Sequence, residues 1–247
     1  MNNTERFSNR VENYVKYHPS YPAGIIPFLE GNIGLNKQSV VADIGSGTGI
    51  SCEPFLKNGN TVFGVEPNDE MRHAAEEVLS AYKNFISVKA TAEHTALPDH
   101  SVDFIVCAQA FHWFDKEKCK AEFARILKPN GRLVLMWNER LVNSDFLKAY
   151  ENALLKYSTD YAKVDHRNVN AEVLAAFFAP QKFEAHSLPN AQFFNMEGLK
   201  GRLLSSSYCP TGGENFEALM RETENIFEWY KQNGQVYFAY ETKLYFA

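Results

Sequence analysis

The chain has 247 residues, carries a net charge of −5, and is 45% hydrophobic. This length suits one large domain or a domain with a small cap, and the composition supplies a sizeable core. The acidic balance, without a basic stripe, disfavours nucleic acid as a partner. Residues 1–10 are polar and lack the apolar core of a signal peptide, and no run reaches membrane-spanning length. We therefore expect a cytoplasmic protein without a membrane partner.

The first part of the chain alternates apolar runs with amphipathic stripes. The predicted strands are 40–44, 61–65, 85–89, 103–108 and 132–137, and the predicted helices between them include 69–82 and 116–127. Asn68 and Asp115 are expected to cap these two helices. Strands that alternate with helices predict an α/β fold, in which a parallel sheet is covered on both faces.

After residue 140 the pattern changes to amphipathic helices with two further strands. Helices are predicted at 144–157, 170–178, 196–204 and 214–232, and strands at 183–188 and 236–246. In the last strand, alternate residues from Val236 to Phe246 are expected to share one face.

The stretch from Val40 to Ile50 carries the strongest functional signal. An apolar run ends at Asp43, and alternating glycines follow at Gly45, Gly47 and Gly49. This pattern predicts a buried strand, a tight turn and the start of a helix, with bare backbone against which a ligand can lie. The next strand ends at Glu66, whose carboxylate can accept both hydroxyls of a ribose. The two elements together predict a nucleoside-binding domain.

The dinucleotide-binding fingerprint fits this turn poorly. Its third position requires glycine or alanine for close packing of the helix on the strand, and Ile50 stands there. A nicotinamide-dependent oxidoreductase is therefore a distant alternative. The D-x-G-x-G-x-G turn instead resembles the first motif of the class I S-adenosylmethionine (SAM) methyltransferases.

Further segments resemble the trans-aconitate methyltransferase-like, small-molecule branch of that class, which has a methyltransferase type 11 domain. They are Gly64–Met71, Thr91–Glu93 with Leu97–Asp99, Ser101–Asp115, Trp137–Arg140 and Tyr17–Pro22. The resemblance is dense over residues 14–140 and thinner at 205–208. One departure is His18, which stands where the family usually has arginine.

The resemblance implies a Rossmann-like, seven-stranded, mostly parallel sheet with an antiparallel last strand. Residues 1–140 would form the SAM-binding core with an N-terminal flap. Residues 141–247 would supply helical lid insertions and the last two strands of the same sheet. The implied cofactor is SAM, and its expected contacts are Tyr14, His18, Asp43, Gly45, Ser46, Gly47, Glu66, Pro67, Met71, Ala92, Glu93 and Gln109. Gly49 and Met71 also suit helix packing.

The acceptor is expected beyond the fourth and fifth strands, on the same edge of the sheet. Phe111, Trp113, Arg140 and Tyr208 are the expected substrate contacts. His112 is a candidate general base or substrate orienter, with plain packing as the alternative. Arg140 could hold a carboxylate through its planar fork or form a structural ion pair. Phe114 is expected to pack as a staple before Asp115.

These observations predict transfer of a methyl group from SAM to a small molecule, with a carboxylate as one candidate acceptor group. A neutral thioether leaves unaided, so a catalytic triad is not required. The alternatives are methylation of a larger biosynthetic intermediate and a catalytically silent SAM-binding module. The four cysteines and seven histidines show no metal-binding spacing, so no metal and no disulfide framework are expected.

Overall fold

The computed structural model describes residues 11–159, 161 and 169–247. Its seven strands are β1 (Val40–Ile44), β2 (Thr61–Val65), β3 (Phe85–Val88), β4 (Val102–Ala108), β5 (Leu127–Arg140), β6 (Glu184–Phe194) and β7 (Val236–Phe246). They form one sheet in the order β3-β2-β1-β4-β5-β7-β6. The first five strands run parallel, and β7 is antiparallel to both neighbours. The predicted fold class is confirmed.

The α-helices of the described chain lie between and before these strands. They are α1 (Val11–Tyr17), α2 (Ile25–Ile33), α3 (Cys52–Asn58), α4 (Asp69–Val78), α5 (Lys116–Ile126), α6 (Asp145–Tyr157), α7 (Ala171–Phe178), α8 (Met196–Leu204) and α9 (Glu214–Tyr230). In the described part of the chain, no helix combines the length and the apolar character needed to cross a bilayer.

The central strands are apolar throughout because helices cover both of their faces. In β1 every residue after Val40 is buried, and in β4 only Asp103 is partly exposed. Two separate hydrophobic clusters lie on the two sides of the sheet, one around Phe111 and one around Phe55. This burial explains the continuous apolar runs in the sequence.

The local signals for helix starts and for the last strand are confirmed. Asn68 accepts a hydrogen bond from the Met71 amide at the start of α4, and Asp115 accepts one from Lys118 at the start of α5. On β7 the predicted face is buried at each of its positions, Val236, Phe238, Tyr240, Thr242, Leu244 and Phe246.

Two strands are longer than the sequence predicts. β5 continues to Arg140 because its polar end pairs with β7, where Arg140 lies opposite Tyr240. β6 continues to Phe194 because it pairs with β7 along its whole length. Backbone pairing extends both strands through residues without an apolar pattern. Helix α4 ends four residues earlier than predicted, at Val78, and α2 had no predicted counterpart.

The helices after β5 and β6 form a third hydrophobic cluster with β7. It includes Phe146 and Tyr150 of α6, Leu199 of α8, Phe227 of α9 and Phe238 of β7. Helix α1 joins this group because Tyr17 packs on α8 so closely that a Cβ on Gly201 would lie 2.1 Å from its ring. The division at residue 140 into core and lid stays a prediction, and residues 1–10 of the predicted core lie outside the described chain.

Candidate functional site

A cavity of about 180 Å³ opens at the carboxyl ends of β1, β2 and β4. This edge is where open α/β sheets bind their ligands. The lining residues are Tyr14, Gly45, Gly47, Glu66, Pro67, Asn68, Met71, Thr91, Ala92, Glu93, Ala108, Gln109, Ala110, Trp113 and Phe114. Nine of the twelve residues expected to contact SAM lie on this wall; Asp43, Ser46 and His18 do not.

The turn after β1 brings backbone to the cavity. Gly45 and Gly47 adopt φ values of +73° and +55°, in the left-handed region that favours glycine. A Cβ on Gly45 would lie 2.6 Å from the Cβ of Ala110, so the loop after β4 closes directly on this turn. Gly49 instead faces α4, where a Cβ would lie 2.5 Å from Leu79. The glycines therefore divide into two that border the ligand space and one that permits helix packing.

Glu66 is the main anionic group on the wall. It is 9% exposed, and its two carboxylate oxygens accept the amides of Gly47 at 3.0 Å and Asn68 at 2.8 Å. Burial raises the pKa of Glu66, while these two amides lower it. A carboxylate offers about four acceptor sites. Glu66 can therefore orient the glycine turn and still accept hydroxyls from a ligand.

Asp43 lies behind the turn, fully buried, and not on the cavity wall. Its Oδ2 accepts the Ser51 hydroxyl at 2.5 Å and the Cys52 thiol at 3.1 Å, which ties β1 to the start of α3. Its Oδ1 is buried and accepts no hydrogen bond in the described chain. Burial raises the pKa of Asp43 to about 6, against the lowering effect of Ser51 and Cys52. The side chain thus holds the loop, and it keeps one acceptor unused.

Ser46 is also turned away from the ligand space. It is buried, and its amide donates to the Val65 carbonyl at 3.2 Å. Its Oγ faces the backbone of Gly64, where a Cβ would lie 3.2 Å away. Ser46 therefore joins the turn after β1 to β2.

Met71 packs in α4 and also lines the cavity, and its contact with the cofactor stays a prediction. It is 5% exposed and packs in α4, and it also lines the cavity, where its Cε would lie 3.4 Å from a Cβ on Gly47. Glu93, on the opposite wall, accepts the Asp115 amide at 3.0 Å. This bond places the Glu93 carboxylate at the start of α5.

Gln109 is held in an uncommon backbone conformation where β4 ends. Its φ is +56°, which is rare for a residue with a Cβ. Its amide donates to the Met136 carbonyl at 2.9 Å, and its side chain donates to the Asn138 carbonyl at 3.1 Å. Both bonds tie the loop to β5, so the strained residue is fixed on the cavity wall.

Of the aromatic residues after Gln109, some line the cavity and one is buried in the core, which corrects the expectation that Phe111 contacts the substrate. Trp113 and Phe114 line the cavity. Phe111 is completely buried, with its ring 4.5 Å from that of Phe177 and 6.3 Å from that of Trp137. Phe111 is therefore a core residue and not a substrate contact. The short 3₁₀ turn at 111–113 points successive side chains in different directions, which a linear motif does not reveal.

His112 lies in the same turn but does not line this cavity. Its ring is partly exposed and tilts against Trp113, with centroids 4.7 Å apart. Its predicted role as a base stays a prediction.

Helix α1 closes one side of the cavity through Tyr14. The ring of Tyr14 stacks on His18 at 3.9 Å between centroids. Burial raises the pKa of Tyr14 to about 12, and Arg202 opposes that shift. Burial, followed by Arg202, lowers the pKa of His18 well below its usual range. His18 is thus a neutral ring under Tyr14, and it does not replace the charge of the family arginine.

Arg140 does not reach this cavity. Its Nη2 donates to the Glu151 carboxylate and, at 2.8 Å, to the Tyr161 hydroxyl. The pair is buried, with side-chain exposures of 11% and 12%. Tyr208 lies beside it, with its ring 4.7 Å from that of Tyr161. Neither Phe111 nor Arg140 lines this cavity, because Phe111 packs in the core and β5 carries Arg140 onward to α6. Arg140 as a substrate contact stays a prediction.

Five wall residues lay outside the predicted site. Asn68, Thr91, Ala108, Ala110 and Phe114 all line the cavity. Thr91 directly precedes Ala92 in a matched motif, and Ala108 ends β4, so position alone could have indicated these two. The contact between Ala110 and Gly45 joins two segments that are distant in sequence, and no local signal reports it.

The wall fits SAM by its chemistry. A ribose is matched by the acceptor sites of Glu66, an adenine by the apolar surface of Met71 and Ala92, and bare backbone is available at Gly47. Asp43 Oδ1 offers a further buried acceptor near the same turn. The strand order with an antiparallel β7 and this cavity define the class I SAM-dependent methyltransferase fold.

Comparisons with known proteins agree with this class. Residues 42–135 match the family model described as methyltransferase domain. An uncharacterized methyltransferase-like protein of Schizosaccharomyces pombe is 30% identical over 155 residues, which cover 62% of this chain and 59% of that protein. The chain spans between half and three fifths of the length of the curated relatives first matched.

Solved structures show the same fold over nearly the whole chain. A candidate type II methyltransferase from Anaeromyxobacter dehalogenans has a TM-score of 0.69 at 19% identity, covering 94% of this chain and 97% of its own. Phosphoethanolamine N-methyltransferase 2 of Haemonchus contortus, solved with SAM, has a TM-score of 0.58 at 15% identity, covering 100% of this chain and 58% of its own. Residues 42–135 therefore match a methyltransferase domain, and the chain has the fold of the class I SAM-dependent methyltransferases.

Proposed function

We propose that this chain transfers a methyl group from SAM to a small-molecule acceptor. The observation that carries the proposal is the cavity in which Glu66 and the glycine turn face the aromatic wall of Trp113 and Phe114. The first group provides a polar anchor for a nucleoside, and the second provides an apolar surface beside it.

SAM supplies a methyl group on a positively charged sulfur, from which a neutral thioether departs. The protein therefore contributes mainly position and exclusion of water. Glu66 holds the nucleoside end through its free acceptor sites. Gln109, fixed by two bonds to β5, supports the opposite wall, and Trp113 with Phe114 keeps water from the space between them.

A general base is needed only for an acceptor that must lose a proton. His112 is the proposed base in that case. Its ring lies in the turn that places Trp113 on the cavity wall. An acceptor that is already deprotonated would leave His112 with an orienting role.

The test is incubation of the protein with SAM labelled on its methyl group and a metabolite extract, followed by mass spectrometry. We expect a small labelled product that requires the wild-type protein and is reduced at least tenfold with Glu66→Gln. The matched control is Glu77→Gln, on the exposed face of α4, which should label as the wild type does. SAM binding without any labelled product would contradict the proposal and favour a silent SAM-binding module. A labelled large intermediate would contradict the small-molecule assignment.

A further inference from the structure

A cationic side chain, Arg202 on α8, lies within electrostatic range of Tyr14 on the cavity wall. The guanidinium of Arg202 donates from Nε to the Tyr240 hydroxyl at 3.2 Å, and from Nη1 to the hydroxyls of Ser205 at 3.1 Å and Ser206 at 2.8 Å. All three partners are neutral. Among the described residues, Arg202 forms no ion pair with a carboxylate, although a guanidinium has five N–H donors.

The Arg202 side chain is only partly exposed to solvent. Burial lowers the pKa of Arg202, but Tyr240, Tyr208 and Tyr150 outweigh that effect and keep the pKa above its usual value. A buried charge is costly unless an opposite charge accompanies it. A negatively charged ligand would supply the opposite charge.

Arg140 faces the same tyrosines from β5. Its guanidinium lies 5.1 Å from the ring centre of Tyr150. Tyr150 and Tyr208 raise the pKa of Arg140, and the same two tyrosines raise the pKa of Arg202. Glu151 neutralises one side of Arg140, while Nη1 is buried and has no hydrogen-bond partner in the described chain. Within the ranges 11–159, 161 and 169–247, Glu151 is the carboxylate paired with these two arginines, and it pairs with Arg140 alone.

The cluster borders the cofactor cavity. Arg202 acts electrostatically on Tyr14, which lines the cavity, and on His18 beneath it. Tyr240 pairs in register with Arg140, two residues beyond Asn138, whose carbonyl binds Gln109. The arginine cluster and the cavity therefore meet at the same edge of the sheet, with α1 between them.

We infer that Arg202, together with Nη1 of Arg140, forms a binding site for one carboxylate group. A planar guanidinium matches a carboxylate with two parallel hydrogen bonds. The single charge of Arg202 matches a carboxylate monoanion better than a phosphate dianion. The inference rests on the proposed function, since the carboxylate belongs either to the acceptor or to the methionine end of SAM.

The test compares Arg202→Gln with wild type by calorimetry and thermal unfolding, at constant ionic strength. The ligands are S-adenosylhomocysteine, 5′-methylthioadenosine, which has no carboxylate, and acetate, malonate and inorganic phosphate as small anions. Arg221→Gln on α9 is the matched control, because Arg221 is exposed and pairs only loosely with Glu217 at 3.7 Å. Arg202→Lys, which keeps the charge and loses the fork, serves if the glutamine variant does not fold.

Two results support the site and identify its occupant. If acetate and malonate stabilise the wild type and lose at least tenfold in affinity with Arg202→Gln, while S-adenosylhomocysteine is unaffected, the carboxylate is that of the acceptor. If S-adenosylhomocysteine weakens at least tenfold while 5′-methylthioadenosine does not, the carboxylate is that of the cofactor. Unchanged affinities for all of these ligands, or a preference for phosphate, would overturn the inference. A wild type that binds no S-adenosylhomocysteine would refute the proposed function separately, while the small-anion measurements would still test the site.

Discussion

The charge of Asp43 depends on its burial behind the glycine turn. Burial raises its pKa from an ordinary 3.8 to about 6. Between these two values the folded chain holds a proton that the unfolded chain releases. Stability from this group therefore falls as pH rises from about 4 to 6, by on the order of 2–3 kcal/mol.

We expect Asp43→Asn to remove this fall. Asparagine can still accept hydrogen bonds from Ser51 and Cys52, so the loop is retained. The measurement is the free energy of unfolding in urea from pH 4 to 6.5, relative to wild type. Asp145→Asn, at an exposed position of α6, is the control and should keep the wild-type slope. An Asp43→Asn curve parallel to that of the wild type would show that Asp43 does not bind a proton in this range.

Two features restrict the replacement of Gly45 by a larger residue, namely its positive φ and the close approach of Ala110. Gly34, which ends α2, has nearly the same φ, +75° against +73°, but a Cβ there would meet nothing within 4 Å. Gly45→Ala should therefore cost about 1–3 kcal/mol more than Gly34→Ala, because it also overpacks against Ala110. Only the Gly45 variant should lose affinity for S-adenosylhomocysteine. Equal destabilisation of the two variants would mean that the contact with Ala110 relaxes without cost.

At the scale of elements, the docking of α1 on α8 decides whether the cavity has its Tyr14 wall. Tyr17 lies against Gly201, and its hydroxyl donates to Glu197 at 2.8 Å. We expect Gly201→Ala to displace α1. Hydrogen exchange of residues 11–17 should accelerate, and S-adenosylhomocysteine should bind more weakly, while the global free energy of unfolding changes by less than about 2 kcal/mol.

A second variant and a control make this test specific. Tyr17→Ala alone should accelerate exchange of α1 in the same way, because it removes the ring that packs on Gly201 and the bond to Glu197. Gly31→Ala in α2, where a Cβ would meet nothing within 4 Å, should stabilise the chain by up to about 1 kcal/mol through helix propensity alone. Unchanged exchange in α1 with Gly201→Ala would show that Tyr17 is not held by this contact.

At the scale of the whole molecule, strands and helices could be predicted from the sequence where a local pattern of residues reflects how the segment packs. Central strands such as β1 are apolar because both faces are buried, and Asn68 and Asp115 cap helices through their own neighbours. The cofactor wall was also largely predictable, because Gly47, Glu66 and Gln109 each follow a strand that ends at the same edge of the sheet.

What could not be predicted depends on contacts between distant segments. Phe111 turns into the core because Phe177 of α7 packs against it, and Arg140 is paired because α6 places Glu151 there. The sequence did not indicate a role for Arg202, because the tyrosines around it come from α6 and β7, which are distant from it in sequence. The partners that decide these positions lie after residue 140, where the family resemblance is thin.

The central claim is that Glu66 and the glycine turn bind the nucleoside of SAM. Its most direct test is calorimetric titration of wild type, Glu66→Gln and Glu77→Gln with S-adenosylhomocysteine and with NAD. We predict saturable binding of S-adenosylhomocysteine to wild type and Glu77→Gln, and no binding of NAD. Loss of the charge-assisted contact in Glu66→Gln should weaken affinity by about 1.5–3 kcal/mol, or roughly 10- to 150-fold. The unfolding temperature should also fall, because a glutamine side chain can accept only one of the two backbone amides that Glu66 accepts. Tight binding of NAD without S-adenosylhomocysteine, or a Glu66→Gln variant that binds as the wild type does, would contradict the claim.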